Sequence, residues 1–314
     1  MDAVRGIAIT LVVGVHYWPE LLPAGGIGVD LFFVLSGYLI GGILLDSRGA
    51  PGFFSTFYLR RAVRILPLYW ILLAFVMPHD MPWYLTFTQP VLWAIQGEFP
   101  AYSPLAVTWS LAIEEQFYLL LPLAVRFLPQ RWLVRVLWLC VCTAPLVRWA
   151  LSDAISLAWL MLPSRMDSLA GGVLLTCSIR GYARSSILWL TLACIPVLVE
   201  AGLKLAFPNW VMAPYSLMAF LCAAGVFAAV RMPRTRLTVL RPLAWLGIGA
   251  YSIFLFHMPV LTLCGSAWLA VPAIGILAWL SWHVVEAPLI GFARDHWRYG
   301  TRPGAGAVGG AAAV

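Results

Sequence analysis

Arg5 and His16 stand eleven positions apart in a stretch that otherwise reads as a membrane-spanning helix. At roughly 100° per residue that spacing is three turns plus about 20°, so both side chains leave one face. At 1.5 Å per residue they lie about 16 Å apart, roughly half the hydrocarbon thickness of a bilayer. A guanidinium and an imidazole are costly there, and an ionisable residue inside a span is by default a functional-site hypothesis. The chemistry such a pair offers is anion binding at one end and proton transfer at the other.

Other unusual polar residues extend the pattern. Asp30 follows Gly-Gly-Ile-Gly-Val ahead of an apolar run, where it caps a helix or serves a site. Glu114 and Glu115 open a long apolar helix. Adjacent residues point about 100° apart, so spacing alone does not make them a shared-proton pair. Acids in a first turn suit the helix dipole, which accounts for one of them more readily than for two. Arg61 and Arg64 are i,i+3, and Arg60 and Arg64 are i,i+4, so the three cluster on a helix surface. Membrane-edge anchoring and phosphate binding both account for such a cluster. His257, near Tyr251 and Ser252, reads either as interhelical packing or as part of a site. His283 reads as structural, and His79 and His296 as loop residues.

The elements that must position these groups are membrane helices. Of 314 residues 62% are hydrophobic and 11% charged, against about 25% charged in soluble domains, which excludes a water-soluble globule. Hydropathy marks about ten transmembrane helices, at residues 3–22, 28–45, 65–77, 108–128, 133–150, 166–179, 187–205, 211–230, 243–263 and 267–289. The stretches 65–77 and 166–179 are short, so they begin in flanking polar residues or do not cross fully. No internal repeat is evident, and the first apolar run lacks a signal-peptide cleavage site. The expected fold class is an all-α integral membrane bundle with both termini cytoplasmic (N-in/C-in). With that orientation 17 of the 20 Lys+Arg fall on the inner side, all except Arg148, Arg165 and Lys204. By depth, His16, Asp30, Glu114, Glu115, Asp167 and His257 then fall in the outer half, with Arg165 at the outer rim. Arg5, Arg60, Arg61, Arg64 and Glu286 fall on the inner side.

The net charge of +7 lies in short loops rather than on one continuous face, so no nucleic-acid partner is expected. All six cysteines fall in apolar stretches without a CxxC or Cys/His pattern, so no metal or disulfide framework is implied.

These residues occur within "DAVRGIAITLVVGVH", "GGIGVDLFFVLSGYLI", "FYLRRAVRILPLYW", "TWSLAIEEQFYLLLP", "SRMDSLAGG", "LGIGAYSIFLFHMPV" and "VEAPL". In that order they make the chain resemble the acyltransferase-3 family of integral membrane acyltransferases, which includes bacterial polysaccharide O-acetylases. The resemblance runs from the first residues to about Pro288. It implies a membrane acyltransferase domain over residues 1–298, and composition makes 299–314 a disordered Gly/Ala-rich tail. It implies a multi-pass protein of the bacterial inner (plasma) membrane that moves an acyl group, acetyl by analogy, from cytoplasmic acyl-CoA to a hydroxyl of a carbohydrate or glycolipid.

Carried over by position, His16, Asp30, Glu114 and Glu115 are the catalytic candidates, and Arg5, Arg61 and Arg64 the acyl-CoA phosphate ligands. Arg165, Asp167, His257 and Glu286 are further functional residues. Acyl-CoA enters as donor substrate and no tightly bound cofactor is expected. His16 takes the acceptor's proton, oriented by an acid such as Asp30 or Glu115, with a covalent acyl-histidine as the alternative. Relatives commonly carry several residues before the first motif, which leaves open a start upstream of Met1. The absence of a hydrolase-like extension after the last span reads as a short, membrane-only form. A transporter or flippase without bond chemistry is the rival reading, disfavoured by the lack of a repeat. A purely structural membrane subunit would not need so many costly polar groups. Acceptor identity, acyl length and oligomeric state are not encoded in any of these features.

The orientation is directly testable. Reporter fusions after Leu45, Val230 and Gly300 should read cytoplasmic, and one within residues 78–107 external. An external C-terminus would make the span count odd and invert the depth assignment.

Overall fold

The computed structural model describes residues 1–101, 103–152, 158–181, 186–207, 214–233 and 240–300. The described residues form helices and no strands. In chain order the helices are α1 (Asp2–Tyr17), α2 (Ile27–Ser47), α3 (Phe53–Val76), α4 (Met81–Leu85), α5 (Gln89–Gln96), α6 (Thr108–Phe127) and α7 (Gln130–Ser152). They continue as α8 (Met166–Ile179), α9 (Ser186–Ala206), α10 (Tyr215–Arg231), α11 (Arg241–Ile248), α12 (Ala250–Cys264), α13 (Ala267–Ser281) and α14 (Ala287–His296).

A helix lies at each of the ten hydropathic stretches, with instructive differences. By length and apolar composition, three helices among the described residues qualify to cross a membrane: α2, α7 and the continuous run from α13 to α14. The α11–α12 pair makes a fourth if counted as one span bent by 73°. Others fall short of the roughly 20 apolar residues a crossing needs: α1 has 16 residues, α8 has 14 and α10 has 17. α3 is longer than its apolar stretch, because it starts at Phe53 and carries Arg60, Arg61 and Arg64 within the helix. The expected outer loop at residues 78–107 contains two short helices, α4 and α5, each with proline in its first turn, where a missing N–H costs nothing.

Glycine sets how closely the central helices approach. A Cβ on Gly37 of α2 would fall on the carbonyl of Leu169 in α8, and one on Gly172 of α8 on the carbonyl of Val34 in α2. Small residues at such spacings let backbones touch without lipid between them. Thr176 adds an interhelical hydrogen bond, its hydroxyl donating to the Tyr38 carbonyl at 2.6 Å. Gly6 of α1 and Gly247 of α11 make equally close backbone approaches, to Leu243 and Asp2.

Two buried arginines tie the helices around this centre. Arg148 of α7 donates to Asp167 Oδ2 of α8 (2.9 Å), Glu200 Oε1 of α9 (2.9 Å), Ser216 Oγ of α10 (2.7 Å) and the Ser164 carbonyl (2.6 Å). Arg165 donates to Asp30 Oδ1 of α2 at 2.9 Å, where the Ser168 hydroxyl also donates at 2.8 Å. Its guanidinium lies over the Tyr215 ring at 3.9 Å. Both arginines and both aspartates are fully buried. Such pairs hold because each charge has its counter-charge; removing one partner strands the other.

The last helical run changes its hydrogen-bond pattern just before a proline. Pro288 has no N–H to offer the preceding turn, and the backbone widens into a π turn over Trp282–Glu286 before α14 begins. Beyond α14 the chain folds back over α3. Arg60 donates to the carbonyls of Trp297 (2.7 Å) and Arg294 (3.3 Å), and the Gly300 N–H donates to Pro51 O (3.2 Å). Tyr299 and Gly300, assigned to the tail by composition, are thus held against the bundle; the tail at 301–314 lies outside the described residues.

Asp30→Ala should leave Arg165 as an uncompensated buried charge and cost about 3–5 kcal/mol. The apparent Tm of the detergent-solubilised protein should fall by several degrees or more. An unchanged Tm would show that the Asp30–Arg165 pair does not hold α2 against α8.

Candidate active site

A cavity of about 700 Å³ opens between α1, α2, α3, α6 and α12. That lies within the range of small-molecule sites. One end, next to the start of α1 and the start of α3, carries Arg5, Arg60, Arg61, Asp46, Arg180 and Tyr299. Arg64, Ser36, Glu114 and Tyr118 line its middle, and Val29, Phe32, Phe33 and Phe254 its far end.

The cations in the wall differ in what already satisfies them. Arg5 pairs with Asp2 at 2.7 Å, one turn away on α1. Arg180 grips Asp46 with two donors, at 2.8 and 2.5 Å. Arg60 is spent on backbone carbonyls after α14. Arg61 and Arg64 have no carboxylate within ion-pair distance among the described residues. Arg61 instead lies over the rings of Tyr118 (5.6 Å) and Phe57 (6.0 Å). Two cations in an apolar bundle with no carboxylate at ion-pair distance can receive an anionic ligand.

The carboxylates divide by helix face. Glu114 lines the cavity, accepting from Ser36 Oγ of α2 at 2.8 Å and from Tyr118 OH, one turn along α6, at 3.1 Å. Its neighbour Glu115 points elsewhere, as the 100° between adjacent residues requires, and its Oε1 is buried without a hydrogen-bond partner among the described residues. Glu286, on the π turn, is buried and accepts from Ser281 Oγ at 3.0 Å.

Beyond the far end of the cavity two imidazoles meet. His16 Nδ1 and His257 Nε2 are 3.3 Å apart, with ring centroids separated by 4.9 Å. His16 Nδ1 is also 2.7 Å from the Val12 carbonyl, and His257 Nδ1 is 2.7 Å from that of Phe254. A carbonyl only accepts, so each Nδ1 carries the proton, an assignment made from the hydrogen-bond network. His16 Nδ1–H then faces both the Val12 carbonyl and the lone pair of His257 Nε2. His16 Nε2 is left unprotonated, on an exposed side chain. Tyr17 OH donates to the His257 carbonyl at 2.9 Å and fixes the neighbouring turn.

The single outer cluster expected from depth is therefore three separate sets. His16 and His257 are together; Asp30 with Arg165, and Asp167 with Arg148, form the buried ion pairs; Glu114 and Glu115 belong with Arg61 and Arg64. The expected carboxylate partner of His16 is replaced by His257, and no carboxylate reaches its ring nitrogens among the described residues. Depth along a helix is legible from residue number, but residues at one depth on several helices face different neighbours.

Ser36, Tyr118, Arg180 and Tyr299 were not singled out from the sequence. Tyr118 had a signal, its i,i+4 spacing from Glu114. The others reach the cavity through tertiary packing and had none.

Comparison with known proteins agrees with this architecture. The chain matches the acyltransferase-3 family model, described as an acyltransferase domain, across residues 1–285. It is 28% identical over 370 aligned positions to a Bacillus subtilis protein named as the peptidoglycan O-acetyltransferase YrhL, covering 92% of this chain and 54% of that one. It is 27% identical to the peptidoglycan O-acetyltransferase OatA of Listeria monocytogenes, over 92% of this chain and 55% of the relative. The chain thus spans about half the length of these curated relatives. With a Komagataeibacter xylinus protein named as the membrane-bound transacylase BcsY it shares 30% identity, over 82% of this chain and 72% of that one. No solved structure matches the chain. The match over nearly the whole described bundle places this chain in the acyltransferase-3 family.

Proposed function

We propose that this protein is a multi-pass membrane O-acyltransferase, N-in and C-in with about ten helical passes. It moves an acyl group, acetyl by the names of its relatives, from coenzyme A in the basic cavity to a hydroxyl of a carbohydrate or glycolipid at His16. The observation that carries the reading is the combination of two cations that have no carboxylate at ion-pair distance among the described residues, Arg61 and Arg64, with an imidazole nitrogen of His16 left unprotonated by its hydrogen bonds.

In this reading Arg61 and Arg64, with Arg5 beside them, grip the anionic phosphates of the donor. α1 is unbroken, so the sequence-based span of about 16 Å from Arg5 to His16 holds, a reach of the order of a pantetheine arm. Glu114 is held by Ser36 and Tyr118 at mid-cavity, where it positions the arm by accepting hydrogen bonds from its amides. The thioester arrives at the far end. The acceptor hydroxyl approaches from the open side of His16 and gives its proton to Nε2 as its oxygen attacks the thioester carbonyl. The new C–O ester bond forms, the C–S bond breaks, and the coenzyme A thiolate leaves and takes up the proton.

His257 holds His16 in the tautomer this requires. Asp30, Arg165 and Asp167 act by positioning the helices, and Glu115 and Glu286 set the electrostatics behind Arg61 and Arg64. The positive-inside distribution supports the cytoplasm as the source of the donor.

Kinetics separate these roles. Arg61→Ala and Arg64→Ala should raise the KM for acyl-CoA with little change in the acceptor KM, and Lys replacements should recover part of the loss. His16→Ala should lower kcat by about 10² to 10⁴ in protein that still inserts. An acceptor KM that rises with the donor KM unchanged would contradict the phosphate assignment. Activity of His16→Ala within a few-fold of wild type would make His16 a packing residue.

A further inference from the structure

The cavity stops short of His16. Phe32 of α2 and Phe254 of α12 line its far part and meet edge to face, with ring centroids 6.3 Å apart. The Phe254 ring lies 6.1 Å from that of His257, which contacts His16. Both phenylalanines pack on the apolar cluster containing Ile9 and Val12, the buried residues of α1 between Arg5 and His16. Two aromatic rings of the cavity lining thus stand next to the imidazole pair.

We propose that Phe32 and Phe254 form the steric gate that sets the length of the acyl chain delivered to His16. This rests on the acyl-CoA reading above. A donor held by its phosphates at Arg61 and Arg64 presents its other end, the apolar acyl group, to these rings. Neither ring offers a hydrogen bond, so an acyl group that meets them is selected by size. The closure is made by side chains and not by backbone, so trimming a ring lengthens the space available. The Phe254 carbonyl also accepts the His257 Nδ1 proton at 2.7 Å, which ties the gate's backbone to the imidazole pair it guards.

The test is a donor-length competition in membranes, with acetyl-, propionyl- and butyryl-CoA offered to wild type, Phe254→Ala, Phe254→Leu and Phe32→Leu. One methylene in an apolar pocket is worth about tenfold or more in kcat/KM. Phe254→Ala should therefore raise the butyryl-to-acetyl ratio by about tenfold or more, with smaller rises for the Leu variants. If Phe254→Ala fails to insert, the ratio in the Leu variants decides. A fall in activity with every donor and an unchanged ratio would make the rings mere packing and overturn the gate. Wild-type membranes that consume none of the three donors would instead remove the acyl-CoA reading, and the gate with it.

Discussion

Charge compensation in an apolar medium governs this structure. An ionised side chain inside the bundle has to find a counter-charge, because the surrounding helices and lipid offer no solvation. Arg148 and Arg165 meet that demand within the protein, and in doing so they bind α2, α7, α8, α9 and α10 into one unit. Arg61 and Arg64 have no carboxylate at ion-pair distance among the described residues. The same rule that makes the first pair structural makes the second pair the anion receptor of the proposed function, and the difference lies in where the acids fall.

The two halves of the candidate chemistry are not gathered in one polar pocket, since His16 is not among the residues that line the cavity. On one side a cavity carries cations and a hydrogen-bonded glutamate; on the other His16 keeps a free ring nitrogen through the hydrogen bonds of its other one. A continuous polar channel would admit water to the thioester and open a leak across the membrane. In the proposed gate the rings of Phe32 and Phe254 form a wall that keeps donor and acceptor in separate compartments until the acyl end of the donor reaches it.

Much of this was legible in the sequence because hydropathy and helical spacing are local properties. The Arg5–His16 spacing, the Arg61–Arg64 cluster and the positions of the apolar stretches depend on one helix each. What was not legible depends on rotation between helices. Asp30 and Glu114 share a depth in the sequence reading, yet one faces Arg165 and the other Ser36. His257 lies 241 positions from His16 in sequence, and only the packing of α12 on α1 makes it the partner that a carboxylate was expected to be. The ten-pass count stands on the same footing: helices lie where hydropathy puts them, but several carry charge or lack the length to qualify as spans alone.

The most direct test of the account is the sidedness of the reaction in sealed inside-out vesicles. Acyl-CoA added outside, on the cytoplasmic face, should be consumed without permeabilisation, and a membrane-impermeant acceptor should be acylated only when loaded into the lumen. Efficient acylation of an acceptor supplied only on the cytoplasmic face of intact vesicles would contradict it, since donor and acceptor would then meet on one side and the wall between the cavity and His16 would have no part in the transfer.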